Sequence, residues 1–191
     1  MNSKELSTTQ LVDELITLYV AGQETTSNAL TFLVQLIESH PEVKLKLLQA
    51  LKANDDDYLQ ALIHEGLRFY PPVWAVSREA VKDVDINGLS VQIGDTVFVS
   101  IYAMHRNQDY WKNPNDFNPD RFLGKTPAQV EAYLPFGKGS RFCIGNHLAM
   151  LEMKVVLKQL YTYSVTCDLE DLQLITPMTL GIKNKISFTF S

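Results

Sequence analysis

From Thr8 to Ser39 apolar side chains fall on nearly every side of what the spacing predicts to be one long helix, densest from Leu11 to Val20 and from Ala29 to Ile37. A helix that is apolar all round is expected to be buried in protein or lipid. A polar notch, Gly22-Gln23-Glu24-Thr25-Thr26-Ser27-Asn28, divides it. The uninterrupted run of about 20 apolar residues that a membrane span requires is therefore absent. The expectation is a long helix buried in protein with a polar midpoint. Ser7 and Gln10 have capping-box spacing at its start, Asp13 and Glu14 lie in early turns where the helix dipole favours acids, and His40-Pro41 ends it.

A second helix is predicted from Glu42 to about Lys52, then an acidic turn at Asn54 to Asp57, then a helix from Tyr58 to Phe69 stopped by Pro71-Pro72. Beyond it the period changes from helix to strand. Val84 to Leu89 carries an Asn87-Gly88 hairpin signal, and Thr96 to Ile101 alternates as a strand does. Residues 105–135 are irregular, with Pro114, Pro119, Pro127 and Pro135. A last helix should run from just after Cys143 to about Tyr161, and the tail from Ile182 to Phe190 reads as a closing hairpin. The fold class is thus mainly α with small β hairpins (α+β), in one unit without repeat or linker.

Composition narrows the function. With 17 basic and 22 acidic side chains, a net charge of −5 and no long basic run, the chain is not expected to bind nucleic acid. The start, MNSKELSTTQ, lacks the apolar core of a secretory signal, so a cytoplasmic, soluble protein is expected. Two cysteines, Cys143 and Cys167, make a poor disulfide framework for a chain this size.

The chemistry concentrates in FGKGSRFCIGNHLAM, residues 136–150. Glycines and the mouth of a helix offer backbone N–H groups to a negatively charged sulfur, and Arg141 adds positive charge. Taken alone, Cys143 could equally be an inert cysteine beside a helix cap. Zinc held by Cys143 and His147 would need a second pair of ligands, which His40, His64 and His105 do not supply at ligand spacing. Two other groupings have bland alternatives as well. Glu65 and Arg68 share a helical face and could be a surface ion pair worth under about 1 kcal/mol. The notch at residues 21–26 could be a polar helix face near a kink.

Together these segments resemble the cytochrome P450 family. Phe136-x-x-Gly139-x-Arg141-x-Cys143-x-Gly145, followed by Leu148-Ala149, is similar to that family's haem-ligand loop. The resemblance implies that Cys143 is the proximal thiolate ligand of haem b (iron protoporphyrin IX), a ligation that favours O–O cleavage. Arg141 would meet a haem propionate, Phe136 would pack near the sulfur, and Gly139 and Gly145 would allow close approach of the porphyrin. Ser140 stands where many members have proline. Glu65 and Arg68, completed by Arg121 of Phe117-Asn118-Pro119-Asp120-Arg121-Phe122, resemble the family's buried structural triad. Ala21-Gly22-Gln23-Glu24-Thr25-Thr26 resembles its oxygen-binding groove. Gly22 would let dioxygen approach, Thr25 would bond the Ala21 carbonyl and disturb the helical ladder, and Glu24 and Thr25 would deliver protons.

By the same resemblance Arg78 is a second propionate contact, and Val73, Trp74, Ala75, Val76, Met178, Thr179 and Leu180 line a cavity for a lipophilic substrate. Lys138, Lys154 and Lys158 would form a basic patch for a redox partner. The implied activity is a monooxygenase reaction with O2, its electrons supplied by a separate ferredoxin, flavodoxin or reductase, because no flavin or dinucleotide motif occurs. The alternative is a non-catalytic haem-binding remnant or half of a split protein. The match covers residues 1–191 as one partial domain, the C-terminal half of the family fold. The short connection from Val43 to Tyr58 resembles that of compact soluble members. Without the rest of the fold, weak haem retention and poor hydroxylation are expected.

Overall fold

The computed structural model describes residues 6–168 and 172–191; Met1 and the four residues after it, on which the reading of the N-terminus rests, lie outside the described residues. Helix α1 (Thr8–Ser39) starts as its sequence dictates. Ser7 Oγ accepts from the Gln10 N–H at 3.3 Å, and Gln10 Oε1 accepts from the Ser7 N–H at 3.0 Å. Its second half is buried through Ala29, Phe32, Leu33, Val34, Leu36 and Ile37. Its first half is not: Leu11, Leu15, Ile16, Leu18 and Tyr19 are exposed, because no other described element packs over them. The expectation of a helix buried throughout holds only from the notch onward.

Helix α2 (Pro41–Ala53) opens on a proline, whose missing N–H costs nothing at that position, and closes on Asn54 in the left-handed region at φ 54°. Helix α3 (Asp56–Phe69) begins two residues before the predicted Tyr58. Asp55 supplies the cap: its Oδ1 accepts from the N–H groups of Asp57 (2.9 Å) and Tyr58 (3.4 Å). This helix is the centre of the molecule, packed against α1 and α2 and buried at Tyr58, Leu59 and every position from Ala61 to Arg68. Gly66 permits the close crossing with α1, since a Cβ there would lie 2.3 Å from Leu33 Cδ2.

Strand β1 (Ala75–Glu79) was not foreseen. Between it and its antiparallel partner lies the Asn-Gly hairpin of β2 (Val84–Ile86) and β3 (Leu89–Val91). Asn87 (φ 51°) and Gly88 (φ 88°) both take the positive φ that a tight hairpin turn demands. The partner of β1 is β4 (Thr96–Ser100), in a register that sets Ala75 opposite Ser100 and Glu79 opposite Thr96. It stops one residue early because Ser100 Oγ accepts from the Ala103 N–H and caps the short helix α4 (Ile101–Met104). The irregular stretch that follows contains a 3-10 turn at Pro119–Phe122 and leads to α5 (Asn146–Leu160).

The tail departs from the expected hairpin. Strand β5 (Val165–Cys167) pairs with the terminal β8 (Phe188–Phe190), while β6 (Leu174–Ile175) pairs with β7 (Gly181–Ile182). Residues 182–190 are thus divided between two separate ladders. Local alternation cannot reveal which distant strand offers unpaired backbone groups. No helix among the described residues is long and apolar enough to cross a membrane.

A small aromatic cluster of Trp111, Phe122 and Tyr133 against Ala61 holds two buried histidines beside α3. His105 Nε2 accepts from the Leu134 N–H at 2.9 Å and Nδ1–H donates to the Arg68 carbonyl at 3.2 Å, an arrangement only the neutral ring can make. Burial, reinforced by the Arg68 and Arg106 charges, pushes its pKa down to about 3. Burial pushes His64 down to about 4; its Nδ1–H donates to the Tyr133 hydroxyl at 2.9 Å. Both folded values lie below the unfolded value of about 6.5, so the unfolded chain binds more protons in the interval between them. The stability these rings contribute is complete above about pH 6.5 and is lost as pH falls towards 4, by about 1.4 kcal/mol per unit for each ring. Urea midpoints measured from pH 7.5 to 4.5 should fall steeply below 6.5; a flat profile would contradict this.

Candidate functional site

The loop around Cys143 is shaped by backbone rather than side chains. Gly137 and Gly139 both sit at φ 75°, where a Cβ would be strained, and a 3-10 turn over Gly139–Arg141 follows. The Cys143 N–H donates to the Phe136 carbonyl at 3.0 Å, folding the loop back on itself. Phe136 is half-buried against the main core and anchors it. Gly145 is the cap residue of α5, and a Cβ added there would be 3.9 Å from the Cys143 Sγ, so the sulfur lies at the mouth of that helix. The thiol is unpaired and exposed; Cys167 is unpaired too. Around it Phe142, Ile144 (89% exposed) and Leu148 also face outward, and Arg141 is exposed. His147 is exposed as well. No group of three or more His, Cys, Asp or Glu side chains among the described residues is placed to hold a metal ion, so the zinc alternative finds no ligand set.

At the notch Thr25 Oγ1 donates to the Ala21 carbonyl at 2.8 Å, yet α1 continues as α-helix through it, so the ladder is not broken as expected. Apart from its chain neighbours and its own helix backbone, no atom of the described residues lies within 4 Å of where a Cβ on Gly22 would stand. Glu24 Oε1 accepts from the Thr179 hydroxyl at 2.6 Å. Asn28 Nδ2 donates to Thr179 Oγ1 at 3.0 Å and to the Leu180 carbonyl at 3.2 Å. A depression of about 420 Å³ opens here, with Ala21, Glu24, Thr25, Met178 and Thr179 in its walls.

The residues expected to line a substrate cavity divide. Met178 is 68% exposed and lines this depression with Thr179, while Leu180 is buried and its N–H donates to the Pro72 carbonyl at 2.7 Å. Val73 is exposed, Trp74 tilts against Phe98, and Ala75 and Val76 are half-buried on β1; none of these four borders the depression. Arg78 is exposed on β1, its guanidinium donating to the adjacent Ser77 carbonyl. Two of the three lysines are committed elsewhere: Lys158 pairs with Asp56 at 2.6 Å and Lys154 donates to Gln60 at 3.1 Å, both on α3.

The structure brings Glu65, Arg68 and Arg121 together. Glu65 and Arg68 are both fully buried, with Arg68 Nε 2.7 Å from Glu65 Oε2 and Arg121 Nε 3.3 Å from Glu65 Oε1. Arg68 uses all five N–H groups, the remainder reaching Glu65 Oε1 and the carbonyls of His105, Pro114 and Asp116. Sequence reasoning missed these carbonyls and missed Asn28. One signal for Asn28 was present: it follows Glu24 by four residues and so shares its helical face.

The chain as a whole is similar to known proteins. The cytochrome P450 family model matches residues 1–188, and the chain belongs to that family. Cytochrome P450 3A17 of Cavia porcellus is 34% identical over 172 residues, 82% of this chain and 34% of that protein. Cytochrome P450 3A13 of Mus musculus is 36% identical over 169 residues, 81% of this chain and 34% of that protein. Cytochrome P450 3A29 of Sus scrofa is 37% identical over the same length and shares. The chain spans about a third of the length of the curated relatives it matches.

Proposed function

We propose that this chain is one partial domain carrying the haem-thiolate site of a monooxygenase, which oxidises a lipophilic small molecule with O2 and externally supplied electrons. The observation that supports it best is an exposed, unpaired thiol on a glycine-opened loop at the mouth of α5, ringed by uncovered apolar side chains. A single soft sulfur with no accompanying ligand set among the described residues suits iron already held by the four nitrogens of a porphyrin rather than a bare ion. The outward-facing Phe142, Ile144 and Leu148 suit the apolar faces of a flat macrocycle.

Haem b, when bound, supplies the redox and oxygen-activating chemistry. Cys143 would hold it through its thiolate, Gly139 and Gly145 would keep side chains out of its way, and Arg141 and Arg78 would pair with its carboxylates. Glu24 and Thr25 would move protons at the depression, an acid and a hydroxyl side by side on one helix. Ile16, Val20 and Met178 give that depression an apolar wall, which supports a lipophilic substrate and limits water. A ferredoxin, flavodoxin or reductase is the expected electron donor. A cytoplasmic location belongs to the same proposal, in keeping with two unpaired cysteines.

The test is haem reconstitution of the full chain, iron analysis and the reduced, carbon-monoxide-bound absorption spectrum, which distinguishes thiolate ligation from thiol or histidine ligation. Thr25→Ala should leave that spectrum unchanged and lower product formation about tenfold or more, the scale of a lost proton-transfer group. Unchanged turnover in Thr25→Ala would remove Thr25 from proton delivery, and a haem-loaded wild-type chain that forms no product would be a haem binder and not an enzyme.

A further inference from the structure

The hydroxyl of Thr179 has one proton to give and two lone pairs to fill. Asn28 Nδ2 donates into it at 3.0 Å, while the same amide also donates to the Leu180 carbonyl at 3.2 Å. That leaves the Thr179 proton for Glu24 Oε1, 2.6 Å away. Thr179 is itself 6% exposed, and its neighbour Leu180 is tied on the other side to the Pro72 carbonyl at 2.7 Å. The donor that fixes the carboxylate is therefore anchored from two directions and cannot rotate freely.

We propose that Thr179 is a positioning residue for proton delivery: with Asn28 it commits Oε1 of Glu24 as an acceptor, so that any proton Glu24 transfers is carried at Oε2. The inference rests on the acid role proposed above for Glu24. It gives Thr179 a duty other than lining a substrate cavity, and it makes the two oxygens of one carboxyl group unequal. A segment 155 positions away in sequence thereby sets the orientation of the acid on α1. At 2.6 Å the bond has the length usual for a hydroxyl donating to a carboxylate oxygen.

The test uses the full chain in two states. Without haem, the chain is labelled with 13C-carboxyl glutamate and the Glu24 signal is assigned by its disappearance in Glu24→Gln. Thr179→Val should shift that signal, Thr179→Ser should restore it, and Asn28→Ala should shift it less than Thr179→Val does. A signal that is the same in Thr179→Val and wild type overturns the proposal. With haem, Thr179→Val should lower kcat about tenfold at unchanged KM, and Thr179→Ser should return it to within about twofold. A rise in KM at constant kcat means that Thr179 only touches substrate and also overturns the proposal. A wild-type chain without thiolate-ligated haem overturns the functional reading instead, and the positioning then stands or falls on the carboxyl signal.

Discussion

Replacing Cys143 by serine is expected to cost at least about a hundredfold in haem affinity and to erase the thiolate signature of the reduced, carbon-monoxide-bound spectrum. Loss of a mere outer-shell partner of a metal ligand costs about 10–100-fold, and this change removes the ligand itself. The fold should be indifferent to it. The bond that closes the loop is the backbone one from Cys143 N–H to the Phe136 carbonyl, which serine keeps, and the side chain is exposed. The urea midpoint should therefore reflect no more than about 0.5 kcal/mol, the usual range for a surface substitution. Haem titration and circular dichroism on both proteins separate the two effects. A Cys143→Ser chain with the wild-type spectrum would remove the basis of the functional reading.

The second large effect is expected at Arg68. Arg68→Lys should destabilise the chain by about 2–5 kcal/mol, because at least two of its five bonds lose their donor at about 1–3 kcal/mol each. Lysine has three donors on a point charge and cannot replace a planar fork. Here all five guanidinium N–H groups are used, binding Glu65 twice and three carbonyls between His105 and Asp116. Loss of the fork would leave carbonyls unpaired as well as weakening the hold on the fully buried Glu65. Arg121→Ala should cost less, about 1–2 kcal/mol, because its side chain is partly exposed and its bond to Glu65 is longer. Urea unfolding at pH 7.5, above the range where His64 and His105 contribute a pH dependence, measures both. Equal stability of Arg68→Lys and wild type would show that the fork is dispensable.

Much of the local structure was legible because it is governed by neighbours in sequence. The capping box at Ser7 and Gln10, the stop at Pro41, and the Asn87-Gly88 turn each express a rule spanning four residues or fewer. The motif around Cys143 was legible for the same reason: its glycines and its cysteine act within one short loop. The start of α3 was misplaced by two residues because Asp55, rather than the last of the acidic run, won the cap.

What the sequence could not express is which distant groups complete a polar atom or a strand edge. The terminal strand β8 found β5 rather than its neighbour β7, and β1 found β4 across an intervening hairpin. Thr179 met Glu24, and the Arg68 fork met carbonyls of an irregular stretch that no periodicity describes. The sequence by itself determined the four long helices, the tight hairpin and the glycine-opened turn that carries the thiol, since propensity, capping and turn geometry are short-range. Only the tertiary structure decided which half of α1 is covered, how the tail strands pair, and which hydroxyl holds the acid, since those depend on desolvation and on hydrogen-bond partners brought together from opposite ends of the chain.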